Sequence, residues 1–295
     1  MLEQVKAKIL FGKLLSRPDI SKAYAMVGPE DSWYNTIKTV HESLAQIQTL
    51  DHEILEIKSH DGLALKAVYY PAENNADNIT IICAHGYTSH AEREWAFPGL
   101  FYHSLGYHVL IPYQRAHGIS EGRRITLGAL EHLDMMAWVR TVNQMNPESR
   151  IVLHGLSMGG GIVLHLSDKP MNGVKCLIAD APTPGIASFF ENVSGQVFKS
   201  DGEAVARCAL ADFRKQTGMD ASDFNVVERI KNGKYPVLLS AGSEEHLEEL
   251  FQQIKQNNPC DTDIILLPGC NHGNGMYKQT EMYQQKIKEF IHKNV

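Results

Sequence analysis

Long hydrophobic runs are missing from this chain. No stretch approaches the roughly 20 apolar residues needed to cross a bilayer, and the N-terminal MLEQVKAKILFGKLLSRPD interrupts its apolar residues with lysines before a signal-type core can form. The expectations are no integral membrane segment, an N-terminal helix packed on the domain, and a cytoplasmic location. Cysteine is scarce and scattered: Cys83, Cys176, Cys208, Cys260 and Cys270 are odd in number and contain no C-x-x-C pair. That pattern fits reduced, buried thiols in a reducing compartment and excludes a disulfide framework. Without H-E-x-x-H or a comparable ligand spacing, no metal site is expected. GLSMGG lacks the G-x-G-x-x-G spacing of a dinucleotide turn, so no cofactor is expected either. Basic excess is also lacking. Lys and Arg total 28 against 34 Asp and Glu, a formal charge of −6, and the short basic segments EGRRITLG and NGKYPV stand isolated, which argues against a nucleic-acid partner. Internal repeats, low-complexity tracts and Gly/Ser linkers are absent.

What remains is a soluble globular composition, 43% hydrophobic and 21% charged over 295 residues, enough for one large α/β domain carrying an insertion. Helix formers behind cap-type residues predict a helix over Pro29 to Gln48. The alternation on both sides of His60-Asp61-Gly62 predicts a β-hairpin. Then come six short, continuously apolar runs: ITIICA (79–84), HVLIPY (108–113), IVLH (151–154), KCLIA (175–179), PVLLSA (236–241) and IILLP (264–268). Apolarity without alternation is what a strand buried on both faces requires, and such strands belong to parallel sheets covered by helices. Between them, Met135, Trp138, Val139 and Val142, and later Tyr283, Ile287, Phe290 and Ile291, recur at helical spacing. The order predicts an α/β fold with a mostly parallel, doubly wound sheet of about eight strands. One interval, residues 181–235, is too long for a simple crossover and reads as a helical cap insertion. The division expected is a helical extension over 1–50, a core over 51–180 and 236–295, and the cap between its two parts.

The chemistry centres on RIVLHGLSMGGGIVLHLS. Gly155-Leu156-Ser157-Met158-Gly159 joins a strand to a helix as G-x-S-x-G. So sharp a turn strains the serine backbone, and the flanking glycines leave room where a Cβ would collide. The strain would hold the Ser157 hydroxyl above the carboxyl edge of the sheet at a helix N-terminus, where negative charge is favoured. A serine hydroxyl alone is a weak nucleophile and needs an oriented base. For this arrangement the chain order is serine, acid, histidine. His272, in the loop PGCNHGN after the last strand, is the base candidate; His165, His246 and His292 lie in the wrong places. Glu245 is the preferred acid, with Glu244 and Asp180 open as alternatives. The backbone N–H groups of Tyr87, after the strand ending in AHG, and of Met158 are the candidate oxyanion donors. Tyr87, Phe189 and Phe190 are candidates for an apolar acyl pocket, with core packing the competing reading.

These residues carry a family likeness. Through AHGYTS, RAHGISEG, HGLSMGG, PVLLSAG and PGCNHGN the chain resembles the α/β-hydrolase superfamily from about Glu53 onward, and in particular bacterial cell-surface or lysophospholipase-like hydrolases with serine-aminopeptidase-like domains. The resemblance implies the α/β-hydrolase fold and a cofactor-free serine hydrolase acting on a small-molecule ester or amide. It also implies Ser157 as nucleophile, His272 as base, Glu245 as acid, and Tyr87 and Met158 as oxyanion donors. Members usually carry Asp at the positions of Glu245 and Tyr113. An aminopeptidase-like amidase is the alternative, favoured by any lid carboxylate, such as Glu191 or Glu203, able to hold a substrate amine. A non-catalytic binding module of the same fold is the other. The sequence leaves oligomeric state open.

Overall fold

The computed structural model describes residues 2–31, 33–75 and 77–295. Its centre is one eight-stranded sheet: β1 (Glu53–Lys58), β2 (Ala64–Tyr70), β3 (Ile79–Ala84), β4 (His108–Pro112), β5 (Arg150–Leu156), β6 (Val174–Asp180), β7 (Val237–Gly242) and β8 (Thr262–Leu267). The spatial order is β1-β2-β4-β3-β5-β6-β7-β8. β2 pairs antiparallel with both β1 and β4, and every other pairing is parallel. The hairpin and all six apolar runs are strands where the sequence placed them, to within three residues at either end.

The continuous apolarity of the central strands follows from helices on both faces. Along β3, Ile82 and Ala84 join one core with Leu153, Met135 and Trp138. Ile81 and Cys83 join the opposite core with Val152, Trp95 and Ile287. Successive residues of a strand point to opposite faces, so a two-sided core leaves few polar positions between them. Helix Glu131–Met145 buries Met135, Trp138, Val139 and Val142, and helix Thr280–Asn294 buries Tyr283, Ile287, Phe290 and Ile291. Both stripes match the helical period read from the sequence.

Two parts of the chain add helices to this layer scheme. Residues 181–235 carry helices Ile186–Phe198, Gly202–Thr217 and Val226–Ile230. The N-terminal helix Leu2–Leu14 packs on them, with the Phe11 and Phe190 rings 4.5 Å apart and Phe190 5.5 Å from Phe213. Among the described residues no helix is long and apolar enough to cross a membrane. The helix expected over 29–48 begins only at Tyr34 and runs to Ile47. Ahead of it the Asp31 side chain accepts a hydrogen bond from the Trp33 N–H, so the cap-type residues form a turn of their own rather than the first helical turn.

The winding places the site. The chain passes from β3 to β4 on one side and returns to β5 on the other, so β3 and β5 are neighbours whose following loops diverge. In open α/β sheets the crevice beyond the carboxyl ends of such strands is where ligands bind.

Candidate active site

Ser157 follows β5 directly and opens helix Met158–His165. Its backbone sits at φ 58° and ψ −116°, a conformation a residue with a Cβ holds only when its surroundings enforce it. The enforcement is visible. The Ser157 N–H donates to the Asp180 carbonyl at 2.8 Å, and the Ser157 carbonyl accepts from Gly161 at 3.0 Å and Thr183 at 3.2 Å. These bonds reach into β6 and the segment after it, so the turn is pinned from the neighbouring strand.

The hydroxyl projected by this turn meets His272. The Ser157 hydroxyl donates to His272 Nε2 over 2.9 Å, and His272 Nδ1–H donates to Glu245 Oε2 over 2.5 Å. Glu245 ends the short turn Ser243–Glu245 after β7, and its other oxygen accepts from the Gly242 N–H at 2.9 Å. Both carboxylate oxygens are thus committed, one to the histidine and one to the backbone of its own strand. The loop that presents His272 is fixed by Asn274, whose side chain accepts from the Asn271 N–H at 2.9 Å. The hydrogen bond to Glu245 lifts the pKa of His272 above its ordinary value against an opposing effect of burial, and the charges of Glu245 and Glu94 add to the lift.

The other two carboxylates are engaged elsewhere. The Glu244 N–H donates to the Cys270 carbonyl, and its side chain reaches only Ser243. Asp180 is buried and accepts from His154 Nε2 at 3.0 Å and from the Tyr283 hydroxyl. Tyr102 donates to the other nitrogen of His154 at 2.7 Å. Asp180 therefore belongs to a buried polar network under the sheet edge, through one carboxylate oxygen, and makes no bond to His272.

Tyr87 lies in the loop after β3. Its hydroxyl donates to the Leu14 carbonyl at 2.5 Å, and no described residue accepts from its backbone N–H. Met158 is the first residue of its helix, so its N–H has no partner within that helix. His85 supports the same loop from within the core. Its Nε2 accepts from the Gln114 N–H at 3.1 Å, and its Nδ1 faces the Gly86 carbonyl at 2.8 Å. Burial holds His85 well below its ordinary pKa, which keeps it neutral. Tyr113, where Asp is usual in the family the sequence resembles, donates to Glu92 at 2.6 Å.

A cavity of about 240 Å³ opens beside Ser157 and His272. Its walls come from the N-terminal segment (Ala23, Tyr24, Trp33), the β3 loop (Gly86 to Ser89) and Glu94 of helix Ala91–Ser104. Among the described residues none of 181–235 lines it. The Phe189 and Tyr87 ring centroids lie 6.0 Å apart and Phe190 is fully buried in the helical layer, and of the three aromatics considered for an acyl pocket only Tyr87 lines the cavity. Glu191 and Glu203 are exposed, and Glu203 pairs with Arg207 on the surface.

Glu94 is the residue that sequence reasoning missed. It is 3% exposed, and its Oε1 accepts from the Gly86 N–H at 2.8 Å while its Oε2 accepts from the Tyr24 hydroxyl at 3.2 Å. Burial raises its pKa to about 7, against the pull of Ser89, the Gly86 N–H and Tyr24. It sits in no motif. Its one signal in the sequence is a carboxylate directly before an apolar helix face, AEREWAF, which is also the pattern of an ordinary solvated first turn.

Fold and site together define a class. The family model of the alpha/beta hydrolase fold matches residues 79–255, and the chain belongs to that family. It is 32% identical over 267 residues to the uncharacterized protein YqkD of Bacillus subtilis (strain 168), covering 85% of this chain and 83% of that one. The Pyrococcus furiosus esterase Pf2001 superposes with a TM-score of 0.66 at 23% identity, covering 95% of this chain and 98% of the esterase. Proline iminopeptidase from Mycobacterium smegmatis superposes with a TM-score of 0.60 at 15% identity over 82% of this chain and 98% of its own. Family and fold support hydrolase activity in general. An esterase and a peptidase share the scaffold, so the fold alone does not choose between ester and amide.

Proposed function

We propose that the protein is a serine hydrolase that cleaves carboxylic esters of small molecules through an acyl-enzyme. The observation that carries the reading is the position of the His272 ring, which takes a hydrogen bond from the Ser157 hydroxyl at 2.9 Å and gives one to Glu245 at 2.5 Å. As Ser157 Oγ attacks the substrate carbonyl, its proton moves to His272 Nε2, and Glu245 stabilises the imidazolium that forms. The tetrahedral oxyanion takes hydrogen bonds from the N–H groups of Tyr87 and Met158, each worth about 3 kcal/mol in sites of this type. Collapse expels the alcohol with the proton from His272. Water then enters and gives a proton to the same nitrogen as its oxygen attacks the acyl carbon, and collapse releases the acid as that proton returns to Ser157 Oγ. The His272 side chain is 57% exposed, so the ring borders solvent from which that water can come.

Incubation with a fluorophosphonate probe and turnover of p-nitrophenyl butyrate test this together. Wild-type protein is expected to label covalently at Ser157 and to turn over the ester, and Ser157→Ala is expected to do neither while keeping its fold. Turnover retained by pure Ser157→Ala, or wild-type protein that neither labels nor hydrolyses, overturns the reading, the latter in favour of a binding module.

A further inference from the structure

We propose that the cavity beside Ser157 recognises a protonated amine, so that the substrate of this hydrolase carries an ammonium group near its scissile bond, held by Glu94 and Ser89 against Tyr24 and Trp33. The inference deepens the reading of Ser157 as nucleophile and rests on it for the word substrate. The cavity itself does not depend on that reading.

Three observations lead there. The first is charge. Glu94 is the one carboxylate among the described residues lining the cavity, and no Lys or Arg lines it. A buried carboxylate with no permanent cation beside it, only the titratable His272 ring, is a poorly matched charge, and the proton it retains up to about pH 7 goes with that mismatch. The two bonds Glu94 makes, to the Gly86 N–H and the Tyr24 hydroxyl, need only an acceptor. A glutamine amide oxygen could serve the loop without burying a charge, so holding the loop does not account for an acid here.

The second observation is an open valence. Ser89 is 7% exposed, lines the same cavity, and its hydroxyl has no hydrogen-bond partner among the described residues. It stands near enough to Glu94 and to the Tyr24 hydroxyl to lower the pKa of both. An ammonium has three N–H donors to distribute, and the carboxylate and this hydroxyl are two acceptors in one place. Tyr24 and Trp33 add aromatic rings, the side chains over which cations bind best.

The third is position. A Cβ placed on Gly86 would stand 3.3 Å from Glu94 Oε2 and 3.4 Å from the Ser157 Cβ. Carboxylate and nucleophile flank the same glycine, so a cation at Glu94 lies next to a carbonyl at Ser157. An anionic group in that place would meet the carboxylate head-on, which selects against acidic acyl chains.

The pH dependence has a fixed sign. Above about pH 7 Glu94 is ionised and attracts an ammonium; below it the carboxyl is neutral and the attraction fades. The other titratable groups facing Glu94 are Tyr24, Tyr277, Cys83 and His272. Burial raises the first three, so they stay uncharged through this range, and His272, protonated at low pH, repels a cation in the same direction.

Calorimetry with n-butylammonium and 1-butanol on Ser157→Ala protein reads the cavity without turnover. The ammonium, charged from pH 6 to 9, is expected to bind at least about tenfold more tightly than the alcohol at pH 8 and to weaken toward pH 6. Adding Glu94→Gln is expected to bring the two ligands within about twofold and to leave only the pH dependence due to His272. Should that variant not fold, Ser89→Ala is expected to weaken the ammonium about threefold relative to the alcohol. Equal binding of ammonium and alcohol at pH 8, or a preference that survives Glu94→Gln, overturns the proposal. On wild-type protein, kcat/KM for alanine p-nitroanilide is expected to exceed that for propionic p-nitroanilide by about tenfold or more. Protein that hydrolyses nothing but binds the ammonium would refute the hydrolase reading and keep the amine site, whereas hydrolysis of neutral esters without ammonium preference would do the reverse.

Discussion

Gly159 packs so closely on the end of β3 that a Cβ built on it would stand 1.9 Å from the Ala84 carbonyl oxygen. The same construction on Gly155 meets the Gly159 carbonyl at 2.1 Å. No side chain has room at either position, and the contacts are backbone, which cannot swing aside. These two glycines let the turn at Ser157 approach the neighbouring strand, and that approach sets the height of the hydroxyl. Gly159→Ala is therefore expected to cost on the order of 1 to 3 kcal/mol of stability and to lower esterase turnover further by displacing Ser157. Urea unfolding measures the first effect, and an unchanged midpoint would show that β3 and the turn are not in this contact.

His272 ties stability and activity to pH in opposite directions. Its pKa lies above the ordinary value, chiefly through the hydrogen bond to Glu245. The folded protein favours the charged ring, so this contribution to stability is full below the unfolded value near 6.5 and is lost as pH rises through the folded value. The proposed mechanism needs the neutral ring, so kcat/KM should rise over that same interval, with a midpoint above about 6.5. A pH profile of p-nitrophenyl butyrate hydrolysis checks this. A midpoint below 6.5 would separate His272 from the titrating base.

The contrast between His272 and Glu94 shows how far the sequence could be read. Ser157, Glu245 and His272 follow β5, β7 and β8, so local pattern and chain order could nominate them, with Glu244 and Asp180 still open as acids, and the structure brings these three side chains into hydrogen-bonding contact. The bond between Glu245 and His272 links residues after β7 and β8, which are adjacent in the sheet. Glu94 differs because its environment depends on Tyr24, 70 residues earlier in a segment without periodicity. Nothing in AEREWAF states that Tyr24 and Trp33 come to lie beside it. The misplaced start of the helix at Tyr34 has the same origin: Pro29 to Asp31 have cap chemistry but spend it on a turn.

Arg115 makes a buried clamp between distant parts of the core, and RAHGISEG gave no hint of it. It is 2% exposed, with Nε and Nη2 on Asp134 at 2.6 and 2.8 Å and Nη1 and Nη2 on Asp61 at 3.0 and 3.1 Å. The clamp joins the β1–β2 hairpin turn to helix Glu131–Met145. Burial pushes Asp61 upward, but the bonds from Arg115 and Ser59 outweigh it and hold that carboxyl at about 2. Arg115→Met would strand the buried Asp134 carboxylate, at about 3 to 5 kcal/mol. Arg115→Met combined with Asp134→Leu should recover part of the loss, since no buried charge is then left single. Equal unfolding midpoints for the single and double variants would deny the pairing.

Glu245 and Asp180 both end strands beside the site, and their surroundings assign them different consequences. Glu245 Oε2 takes the His272 proton-bearing nitrogen, and Oε1 is held by Gly242, so Glu245→Gln keeps the shape but removes the charge that orients and stabilises the imidazolium. In triads of this kind such a change lowers kcat by roughly 10³- to 10⁴-fold, and here the pH midpoint should also fall, because the main cause of the raised His272 pKa is gone. Asp180 faces His154 and Tyr283 inside the protein. Asp180→Asn should cost about 1 to 3 kcal/mol of stability through a weakened buried network, keep kcat/KM within about fivefold, a change near 1 kcal/mol in barrier, and leave the midpoint where it was. Purified variants compared over a pH series resolve the two carboxylates: if Asp180→Asn moves the midpoint and Glu245→Gln does not, the charge that tunes His272 comes from β6, and the geometry seen at Glu245 is incidental to the chemistry.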